Sequence, residues 1–246
     1  MTKDNRSLEG QALSKVAEIG IKSQLDEVQE VEVDVDAQAL ELAQGKVDSV
    51  SIQSKGMVME KDLRVEDMSL QTGNVSINPL GIAFGKVELT RPADASAQVV
   101  LLEQDINRAF NSEYIRSKMQ ELDVHLEGKP VKVDIPQVDF RLLDSEKVAL
   151  SATMVIRETG GNEPVAFTAK PEIDEGGQRV VLTQVEYQDG KNPSPELTEA
   201  LLERSAELLD LRNFELEGMT LKIQKLDISE GKLLLQTAAH IEQFSS

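Results

Sequence analysis

Apolar positions along this chain follow two different periods. Over residues 8–25 the period is helical. At 100° per residue, with Leu8 at zero, Ala12, Leu13, Val16, Ala17, Ile19, Gly20 and Ile21 spread over roughly 220°, while Gln11, Ser14, Lys15, Glu18 and Lys22 share the remaining arc. A helix lying on one flat layer needs an apolar stripe only a little wider than about 100°. The pattern therefore predicts a helix that other elements wrap. Gly20 sits near the middle of the apolar arc at a propensity penalty of roughly 1 kcal/mol. That suits a close backbone approach, and it equally suits an ordinary glycine in a core helix.

From Glu30 onward the period is two. Glu30 to Asp36 alternates acid and valine without exception, the pattern of a strand with one buried face. Further strands are expected at 47–58, 63–70, 75–77, 82–89 and 97–102, with short helices at 37–43, 104–110 and 114–122. A meander at 131–142, 147–157, 164–173 and 179–187 follows, with Gly160-Gly161-Asn162 and Glu175-Gly176-Gly177 as hairpin turns. Ser194-Pro195-Glu196 reads as a helix start, leading into Leu197, Leu201, Leu202, Ala206, Leu208 and Leu209, and strands at 214–228 and 232–241 close the chain.

In four places the alternation jumps by three: Val65 to Met68, Ile135 to Val138, Leu216 to Met219, and Ile223 to Leu226. In a regular strand such a jump sends the next side chain to the opposite face. Either the strand crosses between layers there, or an extra residue forms a bulge that bends it. The expected fold is α+β: a long, strongly curved antiparallel sheet wrapped around a long N-terminal helix, with a second helix near the C-terminus. A flat two-layer α+β sandwich is the alternative. Residues 7–244 are expected to form a single domain behind a flexible start, 1–6.

Charge and composition narrow the partners. Lys plus Arg number 26 against 44 Asp plus Glu, a net charge of −18. Nucleic acid is disfavoured, because its binding rests on neutralising phosphates with Lys and Arg, and so is simple adhesion to anionic lipid. The absence of cysteine excludes thiolate catalysis and thiolate metal sites. Aromatic residues make up only 3% of the chain, too few for base-stacking platforms. No apolar run approaches the roughly 18 residues of a membrane span, and Met1 to Arg6 is polar. A soluble, cytoplasmic protein, peripheral to a membrane at most, is expected.

No catalytic constellation stands out. His125 and His240 are isolated, no metalloprotease helix, nucleophile elbow or EF-hand loop is present, and Gly81, Gly85 and Lys86 lack phosphate-loop spacing. Asp34-Val35-Asp36 lies within a run of acids that reads as a solvated strand face. No enzyme, cofactor or metal is expected. What remains is apolar. Met57, Met59, Met68, Met119, Met154 and Met219 recur through the strands and helices, among Phe84, Phe110 and Phe167. Methionine adapts to variable apolar partners, and a sheet curled around a helix can leave a seam suited to an acyl chain. With Ala12, Val16, Ile19 and Gly20 of the first helix, these nine residues form the expected lining.

Several stretches carry a resemblance: Gln11 to Ala17 with Ser23-Gln24-Leu25; Gly45 to Ile52; Lys61-Asp62-Leu63-Arg64; Ile77 to Leu80; Glu103 to Ser112, the most specific; and Leu209 to Phe214 followed by Gly218-Met219. Together they resemble the bacterial phospholipid-binding family named for the mycobacterial lipomannan elongation factor (LmeA-like), over nearly the whole chain. The resemblance implies a tubular lipid-binding (BPI-like) fold, with a curved sheet around a long helix. It also implies non-catalytic binding, and transfer, of phospholipid or another acyl lipid. The implied partners are lipid acyl chains and, transiently, a membrane. Exported mycobacterial members carry an N-terminal export segment that this sequence does not show. A structural or protein-interaction module with an acidic surface and no ligand is the competing reading.

Overall fold

The computed structural model describes residues 8–23, 25–59, 63–83, 88–187, 195–208, 210–214, 218–229 and 231–242. Its principal element is a curled, half-barrel antiparallel sheet. This sheet is built from β1 (Glu30–Asp36), β3 (Ser49–Met59), β4 (Leu63–Thr72), β6 (Ala93–Leu102), β14 (Lys232–Ile241) and β13 (Met219–Ser229), hydrogen-bonded in that order. The register sorts the two faces. Val33, Ile52, Leu70, Ala97, Thr237 and Ile223 stand opposite one another in one row, and Val31, Ser54, Met68, Val99, Leu235 and Leu226 in the next. The alternate rows, such as Ser51, Gln71, Ser96, Ala238 and Lys222, are mostly polar. Alternation in sequence has become one apolar inner face and one wet outer face.

The expected frame shifts resolve in different ways. Between Ile223 and Lys225 the register against β14 slips by one residue, a bulge of the kind that bends a strand. The Val65–Met68 jump lies opposite Gly56, whose φ of +57° is costly for a side chain, and whose added Cβ would stand 2.5 Å from the Gln29 side chain. Ile135 and Val138 belong to different segments, because β8 (Lys129–Asp134) ends before the first and β9 (Val138–Leu142) begins at the second. Leu216 lies outside the described residues.

The second sheet pairs β12 (Val180–Tyr187), β11 (Gly161–Ile173) and β10 (Val148–Ile156) in that order. The other side of β10 is shared, taking β9 along 148–152 and β8 along 155–156, and β7 (Leu122–Leu126) completes the sheet against β8. The main core lies here, around Phe167, Met154, Leu150, Val133 and Met119, roofed by Leu197 and Leu201 of the helix α6 (Pro195–Leu208). This is the second helix expected near the C-terminus.

The first helix departs from expectation. It runs Leu8–Ser23, about four turns, so the long helix expected is not seen, and it packs on β1 rather than inside a wrapping sheet. Leu13, Ala17 and Ile21 pack on Val31, Val33 and Val35. Ser14 Oγ accepts a hydrogen bond from the Val35 amide at 3.0 Å and donates to the Gly10 carbonyl at 2.9 Å. The helix thus covers the outer edge of β1 and blocks strand addition there. Its wide apolar arc reflects two flanks with different fates, one packed and one open: Val16 is 56% and Ile19 68% exposed. Three local expectations also change. Residues 82–83 are helical, within α3 (Pro79–Ala83), because Asn78 Oδ1 accepts from the Leu80 amide and Pro79 fits a first helical turn. The strand expected at 131–142 is two strands. Leu122 begins β7 instead of ending a helix.

Three carboxylates brace the turns. Asp210 accepts from the Arg212 side chain and amide, Asp174 from the Arg179 and Gln178 amides and the Arg179 side chain, and Asp134 from Arg157 and the Glu121 amide. Arg212, the Arg179 backbone and Arg157 respectively are the leading reasons these groups titrate below the usual carboxylate range. A depressed folded-state pKa stabilises above the unfolded value, about 3.8, and that stability drains away as pH falls through the folded value. Urea midpoints are therefore expected to hold from neutrality to about pH 4.5 and to fall below it. Asp210→Asn should lower the neutral midpoint and flatten the acid limb, and an unchanged limb would remove Asp210 from this role.

Two buried hydroxyls, Thr198 Oγ1 and Ser205 Oγ on the inner side of α6, have no hydrogen-bond partner among the described residues. An unsatisfied buried polar group costs about 1–3 kcal/mol. Thr198→Val, close in shape, is expected to raise unfolding free energy by about 1 kcal/mol in urea titrations. A loss of similar size would show that the hydroxyl has a partner in solution.

Candidate functional site

The inner face of the six-stranded sheet carries continuous apolar rows across all six strands. Its centre is made of small residues: Ala95, Ala97, Thr237 and Ala239 on the adjacent strands β6 and β14. Leu70, Val99, Leu221 and Leu235 stand around them and are only half-buried. Ala93, Ala95 and Ala97 alternate with Asp94, Ser96 and Gln98, so the first half of β6 offers the inner face little more than Cβ atoms, before Val99 and Leu101. Of the central four, Ala95, Thr237 and Ala239 are buried and Ala97 is half-buried.

Both margins of the face are fixed. On one side α1 closes β1, as described above. On the other, the turn between β11 and β12 docks on β13, where the Ile223 amide donates to the Gly177 carbonyl at 2.6 Å, beside the bulge. Towards the second sheet, Val99, Leu226, Leu233 and Leu235 pack on the main core. The far half of the face holds its own small cluster of Ala95, Ala239 and Ile241 with Leu70, Leu89, Met219 and Leu221.

The stretch that carries the most specific resemblance builds the junction between the sheets. Along α4 (Glu103–Phe110) and the residue after it, Glu103, Asn107 and Asn111 recur every four positions. Asn107 Nδ2 donates to the Phe140 carbonyl at 2.6 Å and Oδ1 accepts from its amide at 2.8 Å. Asn111 does the same with Val138, at 2.8 and 3.2 Å, and Glu103 Oε2 accepts from the Leu142 amide at 2.7 Å. Four helical residues rise about 6 Å, and two strand residues about 6.7 Å. Side chains on one helix face can therefore follow alternate residues of β9 and stand in for a missing neighbour strand. Ile106 and Phe110 enter the core, Phe110 stacked on Phe140 at 5.6 Å between centroids. Ser112 caps α5 (Glu113–Lys118) by accepting from the Ile115 amide.

Beside α4, an open polar cleft of about 570 Å³ is lined by Arg64, Glu66, Leu102, Gln104, Asp105 and Arg108. Arg64 Nη1 donates to Glu66 at 2.5 Å and to buried Asp105 at 2.9 Å, and Glu66 foremost keeps the guanidinium protonated. A smaller cleft of about 270 Å³ lies among Glu146, Lys170, Pro171, Glu172, Ile173, Leu226 and Ile228. Among the described residues no group of three or more metal-ligating side chains is placed to hold an ion, and no helix is long and apolar enough to cross a membrane.

The residues expected to line a ligand site are dispersed. Met68 and Met219 stand on the inner face, with Met57 buried where β3 enters the main core. Phe110, Met119, Met154 and Phe167 lie in that core at 6% exposure or less. Ala12, Val16 and Ile19 are exposed on α1. The Gly20 and Met59 side-chain environments, and Phe84 altogether, lie outside the described residues. Sequence reasoning passed over Ala95, Ala97, Leu70, Leu235 and Thr237. The available signal was the alternate alanines of β6, which read as weak strand formers rather than as a floor.

No curated protein and no solved structure matches this chain. A family model does, described as LmeA-like phospholipid-binding, over residues 5–238. That match spans the first five strands of the sheet, the junction helix and most of the final strand, and the chain belongs to the LmeA-like phospholipid-binding family.

Proposed function

We propose that this protein binds phospholipid without catalysis, laying acyl chains on the inner face of the six-stranded sheet and passing the lipid on through brief membrane contact. The observation that carries the reading is the apolar inner face, centred on Ala95, Ala97, Thr237 and Ala239 and flanked by half-buried leucines, in a member of a phospholipid-binding family. Each methylene withdrawn from water contributes roughly 0.8 kcal/mol, so about ten suffice for useful affinity. The test is native mass spectrometry of the protein after incubation with phosphatidylcholine vesicles. Lipid adducts are expected. Repeated recovery of bare protein, with no lipid in organic extracts, would overturn the reading in favour of an interaction module.

Membrane contact has a candidate region. Leu40 on α2 (Ala39–Leu42) is 74% exposed and Leu80 on α3 is 73% exposed. These two short helices flank the small ladder of β2 (Lys46–Val47) with β5 (Val75–Ser76), tied by the Ile77 amide donating to Gly45 at 2.7 Å. Ala93, at the start of β6, belongs to the same cluster as β2 and β5, so this region adjoins the inner face. Leu40→Ser with Leu80→Ser is expected to reduce co-sedimentation with neutral vesicles several-fold. Because the chain carries −18, lowering salt should not increase binding to anionic vesicles. Strong, salt-sensitive adhesion to them would contradict this mode of contact.

A further inference from the structure

The cleft beside α4 brings together parts of two sequence stretches that lie far apart in the chain, Lys61 to Arg64 and Glu103 to Ser112. Its charges alternate in kind: Arg64 and Arg108 against Glu66 and Asp105. Arg64 spends only Nη1 on the two carboxylates. Its Nε and Nη2 have no protein partner among the described residues, and neither is among the fully buried unpaired atoms. The Arg64 side chain is nonetheless only 16% exposed, and its pairing with Asp105 fixes its orientation. Arg108 is exposed and makes no hydrogen bond or ion pair with the described residues. Asp105 is sealed, its side chain 6% exposed, whereas Glu66 keeps 42% of its side chain in solvent.

The groups still able to act on a ligand are therefore two guanidinium edges and one carboxylate. A simple anion would meet the guanidiniums but also Glu66, at a cleft whose four charges cancel. A phosphate ester that carries its own ammonium satisfies all three. Guanidinium recognises phosphate through paired N–H donors, and a primary ammonium supplies three donors to a carboxylate. We infer that this cleft is a binding site for a zwitterionic phosphate monoester or diester bearing a primary amine, of the phosphoethanolamine type. Arg64 and Arg108 hold the phosphate and Glu66 holds the ammonium. The source is either a lipid headgroup or a free phosphoester. The assignment rests on the phospholipid reading only for the lipid source, since no acyl chain takes part in the recognition.

The experiment is amide chemical-shift titration of the full chain with four soluble probes: phosphoethanolamine, phosphocholine, inorganic phosphate and ethanolamine. Saturable shifts at residues 64–66 and 102–108 are expected, with phosphoethanolamine at least fivefold tighter than inorganic phosphate or phosphocholine. Arg108→Ala should weaken phosphoethanolamine and phosphate alike. Glu66→Gln should weaken phosphoethanolamine and leave phosphate unchanged or tighter. If no probe shifts the cleft, or phosphate binds as well as phosphoethanolamine, the assignment fails. Vesicle uptake separates the sources. A lipid source predicts more adducts from phosphatidylethanolamine than from phosphatidylcholine in wild type but not in Arg108→Ala. Equal uptake with intact probe binding assigns the site to a free phosphoester. Failure of all lipid uptake with intact probe binding would overturn the acyl-chain reading alone.

Discussion

Replacing Ala97 by phenylalanine is expected to lower phospholipid uptake by between one and two orders of magnitude while leaving the protein folded. Ala97 is half-buried at the centre of the inner face, opposite Leu70 on one neighbour strand and Thr237 on the other. A benzyl group there would project from the inner face where the proposed acyl chain lies. Displacing about three methylenes of a bound chain forfeits about 2.4 kcal/mol, a factor of roughly 60. The fold should tolerate the ring because Ala97 is half-buried rather than sealed, and aromatic residues suit strands. Gln98→Phe, one residue along and on the outer face, controls for general hydrophobicity. Equal uptake by wild type and Ala97→Phe, with adducts still present, would move the ligand off this face.

A comparable effect, on stability instead of binding, is expected for Asn107→Ala combined with Asn111→Ala. Each asparagine gives β9 one donor and one acceptor, so the pair removes four hydrogen bonds to backbone groups of Phe140 and Val138. Net contributions of about 0.5–1.5 kcal/mol per bond give a loss of about 2–4 kcal/mol once water reaches the half-open groups. That is a large share of the roughly 5–15 kcal/mol typical of a folded domain. The two positions share a strand and a helix, so the double variant should differ from the sum of the singles. Urea unfolding followed by circular dichroism measures this. A loss below about 0.5 kcal/mol would mean that the paired strand β10 alone holds β9.

The same residues show what the sequence could and could not say. The period of two located most strands because the register converts it directly into inner and outer rows, as in Val31, Val33 and Val35. The jump from Ile223 to Leu226 marked a real bulge, and the curl of the sheet was legible from it. The α1 arc misled because hydrophobicity around a helix does not distinguish a wrapped surface from two flanks, one packed on β1 and one open at Val16 and Ile19. The asparagine ladder was invisible, because a polar residue every fourth position on a helix normally reads as its solvent face. Only the position of β9 makes those amides a substitute strand edge. Phe167 and Met154 were conspicuous as large apolar residues, yet they sit in the main core. The site proposed here is centred on alanines, which a sequence pattern reads only as weak strand formers.

The central claim, that acyl chains lie on the inner face, can be read from a single position because the chain contains no tryptophan. Val99→Trp places an indole on the inner face and Gln98→Trp places one on the outer face of the same strand. With phosphatidylcholine brominated along its acyl chains, fluorescence of the Val99→Trp protein should be strongly quenched and blue-shifted, and that of Gln98→Trp unchanged. Equal quenching at the two positions, or none at Val99→Trp while lipid adducts persist, would contradict the account.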